Sequence, residues 1–263
     1  MHPMLNIAIK AVRNAGRIVL IASDNIQNIQ IHEKSPKNFV TNIDIKVEKL
    51  ITNVIQRYYP NHYFITEESG EFGHSDSDHI WIIDPIDGTN NFVHGIPHNC
   101  ISIAMQFRGK IELGVIYNPH LDQLFTAERG NGARLNNSKI RIAKHKKLNS
   151  SLLSGGMQYS KDIFNKQYLE AILKLQVKIL GLRYSGSLAL DMCYVACGYL
   201  DGIWTSRDAN IWDIAAGALV IQEAGGILCG FKGETNVLDN GHFIGGNPRV
   251  VSQLVGFFSA YLN

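Results

Sequence analysis

Six consecutive residues, Asp84-Pro85-Ile86-Asp87-Gly88-Thr89, join two carboxylates three positions apart to a Gly-Thr pair. They follow the apolar run Ile80-Trp81-Ile82-Ile83, which reads as a buried strand that delivers both acids into a turn. Carboxylates with no cation beside them in sequence, held at the rim of a sheet, suit a hard divalent ion. The backbone N–H groups of Gly88 and Thr89 can face an anion. A metal and a phosphate meeting in one turn imply phosphoester hydrolysis. Pro85 fixes its own φ and donates no N–H. It therefore helps kink the strand and turn Asp84, Asp87 and the Ile86 carbonyl the same way.

Two further acids complete the set. Glu67 closes the short strand Tyr63-Phe64-Ile65-Thr66, and Asp213 is the second residue of a helix opening at Trp212. Element ends face the ligand crevice in open sheets, so the four acids can converge there. Magnesium fits oxygen ligands, with water and substrate phosphate filling the remaining places. Each acid also has a plainer reading. Asp213 can complement a helix dipole, Glu67-Glu68 can be solvated charge, and Asp84 with Asp87 can be turn chemistry. The combination favours a cation, because like charges gathered behind an apolar strand repel one another unless neutralised.

The elements that must position these residues change style near residue 150. Apolar residues recur at three and four from Met4 to Ala22, an amphipathic helix. Residues 31–40 read as a loop, with Pro36 barring helix. A second helix opens at Thr41 or Asn42, where Thr41-x-x-Asp44 resembles a capping box, and Pro60 stops it after Tyr59. Residues 100–107, 111–117, 121–127 and 132–135 form a β-meander. Beyond it, strands at 152–154, 177–182 and 202–205 alternate with helices at 161–175, 187–198 and 212–224. The expectation is one compact unit, an α/β (α+β) fold. Residues 1–150 carry a helix pair and an antiparallel sheet with most of the acids, and 151–263 form an α/β half supplying Asp213.

Composition narrows the class. With 263 residues, 45% hydrophobic and 18% charged, the chain suits a globular enzyme, and a net charge of +2 does not imply nucleic acid. The basic stretch Lys139–Lys147 reads as an exposed strand edge. Four cysteines lie in apolar segments without metal-ligand spacing, and Cys193 and Cys197 stack on one helix face as small hydrophobes. Charged residues interrupt the N-terminal apolar stretch before it reaches membrane-spanning length, so a cytoplasmic location is expected and no membrane partner.

The segments WIIDPIDGTNNFVHGIPH (81–98), ITEESG before it and WDIAAGALVIQEAGG (212–226) resemble the inositol monophosphatase family, in particular its bacterial extragenic-suppressor members. The similarity extends over NFVTNIDIKVEK (38–49) and GNPRV (246–250). It implies a layered α-β-α-β-α sandwich of the inositol monophosphatase and fructose bisphosphatase type. It also implies two to three Mg²⁺ ions, lithium sensitivity and a homodimer. By the same resemblance, Glu67, Asp84 and the Ile86 carbonyl hold one ion, and Asp84, Asp87 and Asp213 a second. Glu67, with water, holds a weaker third. Thr89 with Asp44 orients the attacking water, and Gly88 and Thr89 hold the phosphate. Gly186 and Ser187, with Arg183 just before them, meet the alcohol. Many relatives carry an inositol-contacting Glu seven residues before the Trp-Asp aspartate, where this chain has Ser206, and Leu188 stands where Ala is common.

Phosphomonoester hydrolysis demands up to ~10²¹-fold acceleration, whereas one general base supplies only about 10²–10⁴-fold, so metals must carry most of it. The expected reaction is direct attack of metal-activated water on a small polyol phosphate such as inositol 1-phosphate. The alternatives are another phosphate ester (fructose 1,6-bisphosphate or 3′-phosphoadenosine 5′-phosphate) and a transcription or ribosome-biogenesis role through RNA polymerase or its factors. Arg183 and Arg207 are the candidate cations for a second phosphate.

Overall fold

The computed structural model describes residues 2–35, 38–144, 147–155, 166–206 and 209–261. Helix α1 (Pro3–Ser23) starts with Pro3 in its first turn and a cap from the His2 ring, which accepts the Met4 N–H at 3.2 Å. Strands β1 (Ile31–Ser35) and β2 (Asn38–Thr41) pair as an antiparallel hairpin. This corrects the loop expected over 31–40: Pro36 excludes helix but leaves the flanks free to extend. Helix α2 (Asn42–Tyr58) carries the capping box expected from sequence, Thr41 with Asp44.

Strands β3 (Tyr63–Thr66), β4 (Gly70–Gly73) and β5 (His79–Asp87) precede a short helix, α3 (Thr89–Val93). The meander is β6 (Cys100–Phe107), β7 (Lys110–Asn118), β8 (Gln123–Glu128), β9 (Gly132–Leu135) and β10 (Ser138–Lys139). With β3–β5 it makes an eight-stranded sheet, antiparallel except where β3 runs parallel to β5. Among the described residues of the basic stretch only Lys139 is strand. Residues 140–144 are irregular, and the Ile142 N–H bonds Ala224 O instead.

The second half comprises β11 (Leu152–Gly155), α4 (Lys166–Gln176), β12 (Gly181–Arg183), α5 (Leu188–Ala196), β13 (Gly202–Thr205) and α6 (Ile211–Glu223). Strand β14 (Ile227–Cys229), α7 (Val237–Asn240), β15 (Phe243–Gly246) and α8 (Pro248–Tyr261) follow. The five strands order as β12-β11-β13-β15-β14. The strand expected at 177–182 is shorter and later: Val177 and Leu180 are exposed in a turn, and pairing begins at Gly181. The start of the helix expected at 161 lies outside the described residues.

Alternating side chains on each sheet feed three cores, which stack the molecule in α-β-α-β-α order. Trp81, Ile83 and Val115 of the large sheet pack on Val12 of α1 and Ile51 of α2. Ile82, Ala104 and Phe125, pointing the other way, pack on α5 and α6 together with Ile203 and Phe243 of the small sheet. Leu153, Trp204 and Ile244 then cover Ile172 of α4 and Phe258 of α8. Helices α5 and α6 thus form a middle layer shared by both sheets. They approach closely at Gly217, where a Cβ would come within 2.7 Å of Met192 Sδ. Among the described residues, no helix is long and apolar enough to cross a membrane.

Candidate metal-binding active site

On a regular strand, residues three apart point to opposite faces. Here the pairing runs Asp84↔Ser102 and then Asp87↔Cys100, so β5 contains one residue more than β6 between these pairs. That β-bulge, with Pro85 inside it, resets the alternation and brings both aspartates to one side. Each is buried. Strand β3 ends at Thr66, paired with Ile83 of the parallel β5, so Glu67 arrives beside Asp84, and the Glu67 N–H bonds Ile83 O at 3.2 Å.

Asp213 comes from the first turn of α6. It is the third helical residue rather than the second: Asn210 caps the helix, and Asp213 Oδ2 accepts the Asn210 N–H at 2.9 Å in a second capping box. Asp84, Asp87 and Asp213 each offer an oxygen, all within 4.8 Å of one another. Glu67 joins the group through a hydrogen bond with Asp84, a contact that requires a proton between two carboxylates. Burial, then Glu67, Asp87 and Asp213, push Asp84 well above the ordinary carboxylate range. A cation would relieve this, and the chemistry of the donor set fits a hard divalent one.

The acids line a cleft of about 150 Å³ that also includes Ile86, Gly88, Thr89, Gly186 and Ser187. Gly88 has φ +93°, and a Cβ there would lie 3.1 Å from His98 O and 3.2 Å from Gly186 O. It opens α3, whose first-turn N–H groups have no intrahelical acceptor. Thr89 Oγ1 lies 3.1 Å from Asp44 Oδ1 and 3.0 Å from Ile86 O, able to donate to either. Asp44 is fully buried behind Thr89, and Thr41 donates to it from both N–H and Oγ1 at 2.8 and 2.5 Å. Burial nonetheless raises its pKa.

The residues expected on the alcohol side divide. Ser187 lines the cleft, but its hydroxyl donates to Asp87 Oδ2 at 2.6 Å, and the Ala189 N–H reaches the same oxygen at 2.8 Å. Gly186 sits against Asn91, whose Nδ2 holds both His98 O and Ser185 O. Arg183 is exposed, absent from the cleft lining, and bonds Leu182 O. Ser206 hydrogen-bonds Tyr168 instead of lining the cleft, while Arg207 and Asp208 lie outside the described residues.

Sequence reasoning missed several residues. Asp191 of α5 lines the cleft and bridges Ser154 Oγ at 2.5 Å and His98 Nε2 at 3.1 Å. An acid inside the apolar run Leu188–Ala196 was a legible signal. Cys100 Sγ lies 3.8 Å from Asp87 Oδ2, and burial followed by that charge pushes the thiol well up, so it stays protonated. All four cysteines are free.

A family model for the inositol monophosphatase family matches residues 1–256. The chain is 41% identical to a Nus factor SuhB of Pasteurella multocida over 255 residues, covering 97% of this chain and 95% of that protein. Its fold superposes on the crystal structure of extragenic suppressor protein suhB from Bartonella henselae with a TM-score of 0.93, at 37% identity over 98% of each chain. Inositol monophosphatase from Anabaena gives 0.86, at 32% identity over 98% of this chain and 96% of that one. Motifs, fold and overall similarity agree, and the chain belongs to the inositol monophosphatase family.

Proposed function

We propose that this protein is a Mg²⁺-dependent phosphomonoesterase for a small polyol monophosphate, with inositol 1-phosphate as the reference substrate. The observation that carries the reading is the convergence of Asp84, Asp87 and Asp213, from β5 and α6, beside the Gly88–Thr89 turn. Residues 1–150 and 151–263 act as one unit, because neither half contains all four acids.

Asp84, Asp87, Asp213, Glu67 and the Ile86 carbonyl would hold the ions. When bound, these supply a Lewis acid for phosphoryl oxygens and lower the pKa of water. First-turn amides at Gly88 and Thr89 receive the phosphate. With Ile86 O engaged by an ion, Thr89 would turn its one proton to Asp44 Oδ1, so toward a water in the cleft its oxygen acts as acceptor. A proton leaving that water passes to Thr89 Oγ1 as the threonine proton moves to Asp44. The raised pKa of Asp44 suits that receiving role. Ser187 and the Ala189 amide fix one oxygen of Asp87.

Among the described residues lining the cleft there is no Lys, Arg or His to meet a second phosphate. The volume admits roughly ten waters' worth of ligand, enough for a phosphate and a small ring. Measuring phosphate release over a panel of inositol, fructose and adenosine phosphates, with and without Mg²⁺, tests the reading. Asp87→Asn should lower the rate at least ~100-fold, about 2.7 kcal/mol of transition-state stabilisation. A near-wild-type rate would end the proposal.

The naming of the Pasteurella relative as a Nus factor supports a second role, in transcription through RNA polymerase or its factors. Complementation of a deletion strain by Asp87→Asn would assign the essential task to binding. Homodimer formation is part of the family reading and is checked by sedimentation.

A further inference from the structure

We infer that Glu48 is a positioning residue for Glu67, fixing the turn that aims this carboxylate at the ion; the inference rests on Glu67 being a ligand, as proposed above. Glu48 lies four residues after Asp44 on α2, hence on the same helix face, and is 1% exposed. Its carboxylate faces backbone. Oε2 accepts the Glu68 N–H at 2.8 Å and Oε1 accepts the Ser69 N–H at 2.9 Å.

Residues 67–69 are the whole connection between β3 and β4, whose last pair is Thr66↔Gly70. Their N–H groups lie beyond the β3–β4 ladder and need other acceptors. Ile83 O takes the first and Glu48 the next two, so three successive amides are pinned around the Glu67 Cα. Only a carboxylate can do this with both atoms of one planar group; Gln would turn an NH₂ toward an N–H donor. One face of α2 therefore sets two walls of the cleft, Thr89 through Asp44 and Glu67 through Glu48.

A chemically matched clamp exists elsewhere. Glu223 accepts the Gly130 and Gly132 N–H groups at 2.9 and 2.8 Å across the β8–β9 turn. It lies at the far end of α6 from Asp213, about 15 Å along the helix. Mn²⁺ binding to the full chain, measured by titration calorimetry, separates positioning from general stability. Glu48→Gln should weaken the tightest Mn²⁺ site at least ~10-fold, the scale of lost outer partners of metal ligands. Glu223→Gln should leave it unchanged. A folded Glu48→Gln protein that binds Mn²⁺ like wild type overturns the inference, as does an equal loss in Glu223→Gln. If Glu48→Gln does not fold, the shorter Glu48→Asp is judged by the same criterion. Glu67→Gln reports on the underlying reading: wild-type Mn²⁺ affinity there refutes Glu67 as a ligand, whatever Glu48 does.

Discussion

Asp84 lies beside three other carboxylates with almost no access to water, so in the ion-free protein its pKa stands well above the ordinary carboxylate value. In the unfolded chain this carboxyl releases its proton near 3.8. From there upward the folded state holds a proton that the unfolded state has lost, and the stability of ion-free protein falls as pH rises. On the proposed reading a divalent ion would replace the proton. Chelation should therefore lower Tm, and millimolar Mg²⁺ should raise it more at about pH 8 than at about pH 5. Differential scanning calorimetry checks this, and a pH-independent Mg²⁺ effect would contradict it. Residue type and spacing announced these acids from sequence. They did not announce Glu48, Asn91 or the commitment of Ser187 to Asp87, because those groups bond backbone or side chains brought close only by folding.

Among elements, α2 was the most legible, since Thr41 and Asp44 stand at capping-box spacing before an apolar period. In the fold the same Thr41 hydroxyl both caps the helix, accepting from the Ile43 N–H at 3.1 Å, and contacts Asp44. Thr41→Val keeps the shape and removes both. It should cost ~1 kcal/mol of stability, read from urea midpoints, and lower kcat more than it raises KM. An unchanged kcat would disconnect the cap from Asp44. The β1–β2 hairpin escaped because Ile31-His32-Glu33 alternates too weakly to signal a strand, and its pairing with Phe39-Val40-Thr41 supplies the order. Helix α8 carried an unread cue: Asn247 precedes Pro248 and its Oδ1 accepts the Arg249 N–H at 2.9 Å.

Across the molecule, the parallel pair β3 and β5 has two different ends. The acids gather at one, and at the other His62 stacks on Tyr59 and His79 and accepts the Trp81 indole N–H at 3.0 Å. Burial, then the neighbouring His79, lowers His62 to about 4 from 6.5. Between those values the unfolded chain binds a proton that the folded one refuses, so stability drops as pH falls through this window. His62→Phe should flatten that decline in urea titrations. At neutral pH it should cost ~1–3 kcal/mol, because the indole N–H loses its acceptor. A slope identical to wild type would clear His62 of the effect. The change of style near residue 150 read as an antiparallel-sheet half and an α/β half, and the layering was implied by the family resemblance. The sharing of α5 and α6 by both sheets was not legible, because hydrophobic runs do not say which sheet they cover.

That shared middle layer has a consequence during synthesis. A nascent chain exposes Glu67, Asp84 and Asp87 roughly 6–25 s before Asp213 leaves the ribosome, at ~5–20 residues per second. Ser187 and Ala189, which steady Asp87, also emerge late. Until the second sheet docks, the early acids form an incomplete chelate. On the proposed reading, cation capture would then come last, sealing a finished molecule instead of templating a half-made one.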